Sequence, residues 1–200
     1  MITKLVKNTQ VFTSESPVGS AGVVVGIPAG GAINTFLKKS SATDHDTEWG
    51  NPVQFAQIEE RKALDTPGGD FVAGSWVMRD MTDIVFNEIG VAVQNSRFTL
   101  LAGKYFINAK SAVYRVENHK LRLYDFTNSS AVLYGLNMNT DSADQNMNMY
   151  AFLEGMFSIS ETTIFELQHI CSSTKAENGM GVPSNLGTHE TYSSVILWKV

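Results

Sequence analysis

From Gly69 to the C-terminus the chain is a succession of short runs rich in β-branched and aromatic residues, each closed by turn-forming residues. Phe71–Met78 alternates, with Val72, Gly74, Trp76 and Met78 on one side, and Asp83–Ile89 and Asn95–Leu101 follow. Gly103 opens a long run to Val116, then come Lys120–Phe126 and, after the Asn128-Ser129-Ser130 turn, Ala131–Leu136. Met149–Ile159, Thr163–Cys171 and Tyr192–Val200 complete the series. About nine strands at roughly ten-residue spacing, with no convincing helix, are the pattern of an antiparallel sandwich or barrel.

The first sixty-odd residues have a different texture. They are rich in Gly, Ser, Thr and Asn, and their apolar residues come in small clusters such as Val23-Val24-Val25 and Ile33-Asn34-Thr35-Phe36-Leu37. Little apolar area is available there to offset the entropy of ordering the chain, so this arm is expected to become ordered against another copy or another protein. Phe55–Leu64 is the helix candidate, because Phe55, Ile58 and Lys62 fall near helical spacing, and Thr66-Pro67-Gly68-Gly69 marks the boundary. The expected division is an N-terminal attachment arm over 1–66, with short strands and one short helix, and a head domain over 67–200.

Composition narrows the partners. The chain is 43% apolar and 18% charged, which suits a globular fold with a real core. Its net charge of -5 and the absence of any basic run longer than Lys38-Lys39 argue against nucleic acid and against a polybasic membrane patch. One cysteine, Cys171, excludes an intrachain disulfide and fits assembly in a reducing cytoplasm. No run approaches the roughly 20 apolar residues needed to span a bilayer as a helix, and the first residues lack a signal-like apolar stretch. A soluble protein without membrane insertion is therefore expected.

The C-terminal region resembles the C1q/tumour-necrosis-factor-like jelly-roll modules of bacteriophage tail and fibre proteins. The resemblance lies in Phe98-Thr99-Leu100-Leu101-Ala102-Gly103-Lys104-Tyr105, His119–Asp125, Phe165–His169, Asn178-Gly179-Met180-Gly181-Val182 and Glu190–Lys199. Phe36–Gly50, containing Asp44-His45-Asp46, is similar to a short segment that recurs upstream of the fibre domain in phage appendage proteins. The resemblance implies a non-enzymatic virion protein, assembled in the host cytoplasm. It implies a homotrimer with a jelly-roll head and an arm that attaches to other virion structural proteins through residues 1–66. The head would bind a host-surface glycan or protein, or decorate the particle. The alternatives are a glycan-degrading or glycan-binding tail protein and a non-viral C1q-like binding module.

Each chemical motif has a plainer structural account beside it. Asp44-His45-Asp46 has metal-ligand residue types, but three adjacent loop residues cannot converge on one ion, and aspartates of this kind form turns. His169 and Cys171, at i and i+2, share one strand face and are the candidate metal ligands, or a Cys–His nucleophile pair. No third orienting group or oxyanion motif accompanies them, and Phe165 and Leu167 on the same face indicate core. Cys171 is expected to be a buried small apolar residue. No catalytic residue and no cofactor is expected. Glu59-Glu60 reads as a solvated helix face, and Asn178-Gly179-Met180-Gly181 as a tight turn in which both glycines relieve positive φ. The stretch Asn137–Met149, polar with interspersed methionines, reads as a long solvated connection or an adaptable binding loop. Its candidate contact residues are Asn137, Met138, Asn139, Asp141, Asp144, Asn146 and Met147. Trp76, Trp198 and Tyr192 are expected at the core or an interface.

Overall fold

The computed structural model describes residues 28, 30–33, 35–43, 46–140 and 147–200, and the chain divides into two compact units, 1–52 and 53–200. No helix occurs among the described residues, so none is long and apolar enough to cross a membrane.

In the first unit β1 (Phe36–Lys39) and β2 (Thr47–Gly50) pair as an antiparallel hairpin, from Phe36 opposite Gly50 to Lys39 opposite Thr47. The loop is closed by the Ser40 amide donating to Asp46 O (3.1 Å) and the Ser40 hydroxyl donating to Asp46 Oδ1 (2.6 Å). Side-chain hydrogen bonds from Ser40 and Ser41 hold the Asp46 carboxyl below its ordinary pKa, in keeping with a turn-forming aspartate. Asp44 and His45 lie outside the described residues. Trp49 Nε1 donates to Pro28 O at 2.8 Å across the mouth of the hairpin.

The second unit is a sandwich of two antiparallel sheets. One has the order β12 (Met149–Ile159), β8 (Gly103–Val113), β14 (Glu190–Lys199), β3 (Gln54–Lys62), β5 (Asp83–Asn87). The other runs β10 (Ser130–Tyr134), β9 (Asn118–Asp125), β13 (Thr163–Cys171), β7 (Arg97–Leu100), β6 (Ala92–Gln94). Two short strands extend this second sheet: β11 (Met138–Asn139) on β9 and β4 (Val77–Met78) on β13. From β7 the chain crosses to the opposite sheet at β8 and back at β9. It turns into β10, then crosses again at β12, β13 and β14. Crossing between sheets at nearly every step, with β14 inserted between β8 and β3, makes the double Greek-key arrangement of a jelly roll.

Period-two alternation places the inner residues. Tyr105, Ile107 and Ala109 of β8, Leu121 and Leu123 of β9, Leu153 of β12, Phe165 and Leu167 of β13 and Val195 and Leu197 of β14 meet between the sheets. A second cluster of Phe71, Val113, Val116, Cys171 and Met180 fills one end.

Five expectations are corrected here. The helix expected over Phe55–Leu64 is strand β3, whose inward residues are Ala56, Ile58 and Glu60. A carboxylate at the third inward position hid the period of two. Because β3 pairs with both β14 and β5, it is integral to the sandwich, and the unit begins at Val53 rather than at the 66/67 turn. Glu59-Glu60 is not a solvated pair: Glu59 faces outward to Arg61 (2.8 Å), whereas Glu60 is wholly buried. Phe71–Met78 is mostly irregular, with one bridge from Phe71 to Lys175 and the two residues of β4. In the turn 178–181 only Gly181 has positive φ (+130°). Gly179 is required by close approach, since a Cβ there would stand 2.5 Å from Lys175 O and 2.6 Å from Phe71 Cβ.

Candidate functional site

Strands β9 and β13 carry the residues singled out as ligands. Their register sets Cys171 opposite His119 and His169 opposite Leu121, so both histidines and the cysteine project into the sandwich. His119 Nδ1 and His169 Nε2 stand 3.2 Å apart, and the edge of Phe71 meets the His169 ring with centroids 5.0 Å apart. Burial pushes the His119 pKa down to about 4. His169 is held well below its ordinary value by burial first, then by the positive charges of Arg79 and His119. Both rings are therefore neutral at pH 7. In a neutral pair one ring donates and the other accepts. His119 Nε2 and His169 Nδ1 have no partner among the described residues, so one bare nitrogen and one unpaired N–H remain whichever ring donates.

This arrangement has little to offer catalysis. The Cys171 thiol donates to Ser173 O at 3.3 Å, and burial raises its pKa to about 11, so the thiolate needed for nucleophilic attack is scarce at neutral pH. Cys171 lies in the apolar end cluster, as expected for a small core residue. Among the described residues no group of three or more His, Cys, Asp or Glu side chains is disposed to hold a metal ion.

Two of the loop candidates pair with β9 beside His119. Met138 and Asn139 form β11, opposite His119 and Asn118, and the Asn139 side-chain amide donates to Asn118 Oδ1 at 2.9 Å. Asn137 and Met138 line an open recess of about 410 Å³ together with His119, Lys120 and Cys171. Asn137 and Asn139 are exposed, Met138 is half-buried, and Met147 is exposed. Asp141, Asp144 and Asn146 lie outside the described residues.

Two features of the sheets were not identified from the sequence. The first is a buried ion pair. Arg79, next to β4, reaches the opposite sheet, where its Nε donates to Glu60 Oε2 (2.8 Å) and Ser193 Oγ (2.9 Å). Its Nη1 donates to Ala112 O (3.2 Å), its Nη2 donates to Met180 O (3.0 Å), and Nη2 lies 2.7 Å from Glu60 Oε2. Both side chains are wholly buried, so this one guanidinium ties β3, β8, β14 and the 178–181 turn to the β4 segment.

The second is an apolar row across the outer face of the five-stranded sheet. Met156 of β12 stands opposite Phe106 of β8, Phe106 opposite Trp198 of β14, and Trp198 opposite Phe55 of β3. Phe55 then stacks on Phe86 of β5, with ring centroids 4.4 Å apart. The row crosses all five strands, about 19 Å at the usual strand spacing. Met156 and Phe86 are 49% and 41% exposed, and Tyr150 and Phe152 project from the same face of β12 at 41% and 43%. Tyr192, by contrast, is buried, its hydroxyl donating to Thr66 O at 2.8 Å.

No protein-family model and no curated protein matches the chain. Among solved structures, murine APRIL at pH 8.0 is similar over 74% of this chain and all of its own, at 8% identity and a TM-score of 0.44. The globular domain of zebrafish complement 1qA is similar over 74% of this chain and 98% of its own, at 9% identity and a TM-score of 0.44. The jelly-roll assignment of this chain rests on its own strand order.

Proposed function

We propose that this protein is a non-enzymatic structural and binding module that assembles as a homotrimer through the outer face of its five-stranded sheet, as the head of a phage virion fibre or appendage. The row Met156–Phe106–Trp198–Phe55–Phe86 carries the assembly reading. Outer faces of a solvated sandwich normally alternate to polar residues, whereas this one presents continuous apolar area that water disfavours and a sister subunit would cover. The virion setting is supported by the residues that resemble phage appendage proteins, Phe36–Gly50 upstream and the head motifs downstream. In that setting the arm attaches to other virion proteins, the chain assembles in the host cytoplasm, and the head displays its loops and second sheet outward.

Sedimentation at micromolar concentration is expected to return three times the 21.9 kDa of one chain. Phe106→Glu combined with Met156→Glu places two charges within the row and is expected to yield folded monomers with the same far-UV spectrum. A stable monomer of the parent protein would rule out the trimer. Free head protein is expected to adsorb to host cells and block infection; retention on virions alone would leave the head as decoration.

A further inference from the structure

The outer face of the other sheet is built differently. Arg122 of β9 points outward between two rings, its guanidinium carbon 4.2 Å from the Trp76 ring centre and 4.6 Å from that of Tyr124. Its Nε donates to Gln168 Oε1 at 2.7 Å, which fixes the plane of the fork. Its two terminal nitrogens have no hydrogen bond or ion pair among the described residues. Lys120, two residues along the same strand, lies 5.6 Å from the centre of the Tyr134 ring, and its ammonium likewise has no anionic partner among the described residues. Tyr134 is 56% exposed, and its ring centre lies 6.1 Å from that of Trp76. The neighbouring carboxylate, Glu166, is already matched by Arg97 at 2.7 Å.

Two cations without an anionic partner among the described residues thus stand beside half-buried and exposed rings, on a chain whose net charge is -5. We infer that Arg122, Lys120, Trp76 and Tyr134 form a binding platform for an acidic, uronate-bearing polysaccharide. The charge calls for an anion, and the planar fork of Arg122, held by its ring contacts and by Gln168, matches a carboxylate in a bidentate fashion. The open ring of Tyr134 supplies an apolar surface against which the C–H face of a pyranose packs. Single-stranded nucleic acid fits less well, because base stacking needs free ring faces and the guanidinium already covers Trp76 and Tyr124. The inference deepens the surface-binding half of the proposed function and is independent of the trimer.

The test is binding of the full-length protein to polygalacturonate, with dextran as the neutral control and oligo(dT) as the non-saccharide polyanion. Polygalacturonate is expected to bind and to weaken as salt rises, and dextran is expected not to bind. Arg122→Gln and Lys120→Gln are each expected to lower affinity about tenfold, the scale of one lost charge-assisted hydrogen bond, with the thermal midpoint unchanged. Tyr134→Ala, an exposed position, checks the stacking contribution by the same readout. The monomeric Phe106→Glu/Met156→Glu variant is expected to keep the affinity of each head and lose only avidity, which separates this platform from the assembly face. No binding to polygalacturonate, affinity untouched by Arg122→Gln, or equal binding of dextran or oligo(dT) would overturn the inference.

Discussion

Arg79→Met is expected to destabilise the sandwich by about 3–5 kcal/mol, the cost of leaving a buried charge without its partner. Glu60 would remain wholly buried with only the Ser193 hydroxyl donating to it, at 2.6 Å, and its Oε1 already has no partner among the described residues. The carbonyls of Ala112 and Met180 would lose their donor at the same moment, loosening the 178–181 turn. For a unit of this size the loss corresponds to a fall of roughly 10 °C in the unfolding midpoint. The double variant Arg79→Met/Glu60→Leu is expected to recover most of it, because an apolar pair of similar volume removes the stranded charge rather than exposing it. Urea titrations of parent, single and double variants measure the coupling directly. Equal losses in the single and double variants would show that the pair is not the latch described here.

Stability is also expected to fall steeply between pH 6.5 and 4, and the buried histidine pair is the cause. His119 has a pKa of about 4 in the fold against 6.5 unfolded, so as pH drops the unfolded chain takes up a proton before the folded one does. Its contribution is complete above pH 6.5 and is lost toward pH 4, at about 1.4 kcal/mol per pH unit, or about 3 kcal/mol in all. His169 adds in the same direction, since Arg79 and His119 both oppose a proton on its ring. His119→Leu/His169→Leu is expected to flatten this limb while changing stability little at pH 7, because both unpaired ring nitrogens disappear together. Glu190 acts in a lower window. Its carboxylate accepts hydrogen bonds from the Ser184 amide and hydroxyl and the Asn185 amide, which hold its pKa at about 2. Its contribution is present above pH 4.5 and is lost as pH falls toward 2, so Glu190→Gln should alter only that lower limb. Thermal midpoints measured from pH 8 to 3 separate the two. An unchanged slope between pH 6.5 and 4.5 in the double histidine variant would refute the assignment.

Legibility followed apolar alternation. Met149–Ile159 and Thr163–Cys171 were readable to the residue, because their alternating apolar side chains meet one packed interior and turn residues close both ends. Strand β3 was not, because Glu60 interrupts its inner row, and the arginine that makes a buried glutamate tolerable lies 19 residues away. The inward direction of His169 and Cys171 was legible from their spacing, but their environment was not. His119 joins them only through the pairing of β9 with β13, fifty residues apart in the chain. The apolar row behaves the same way: each strand contributes one residue, which alone is an ordinary exposed apolar side chain.

The sequence by itself determined most of the strands of the sandwich, the turns between them and the all-β class, because period-two burial and turn chemistry act over a few neighbouring residues. Only the tertiary structure decided which strands lie side by side, and with that the Arg79–Glu60 latch, the two facing imidazoles, the five-residue apolar row and the Arg122 platform. Each depends on side chains brought within a few ångströms by strand register, a long-range property with no local signature in the chain.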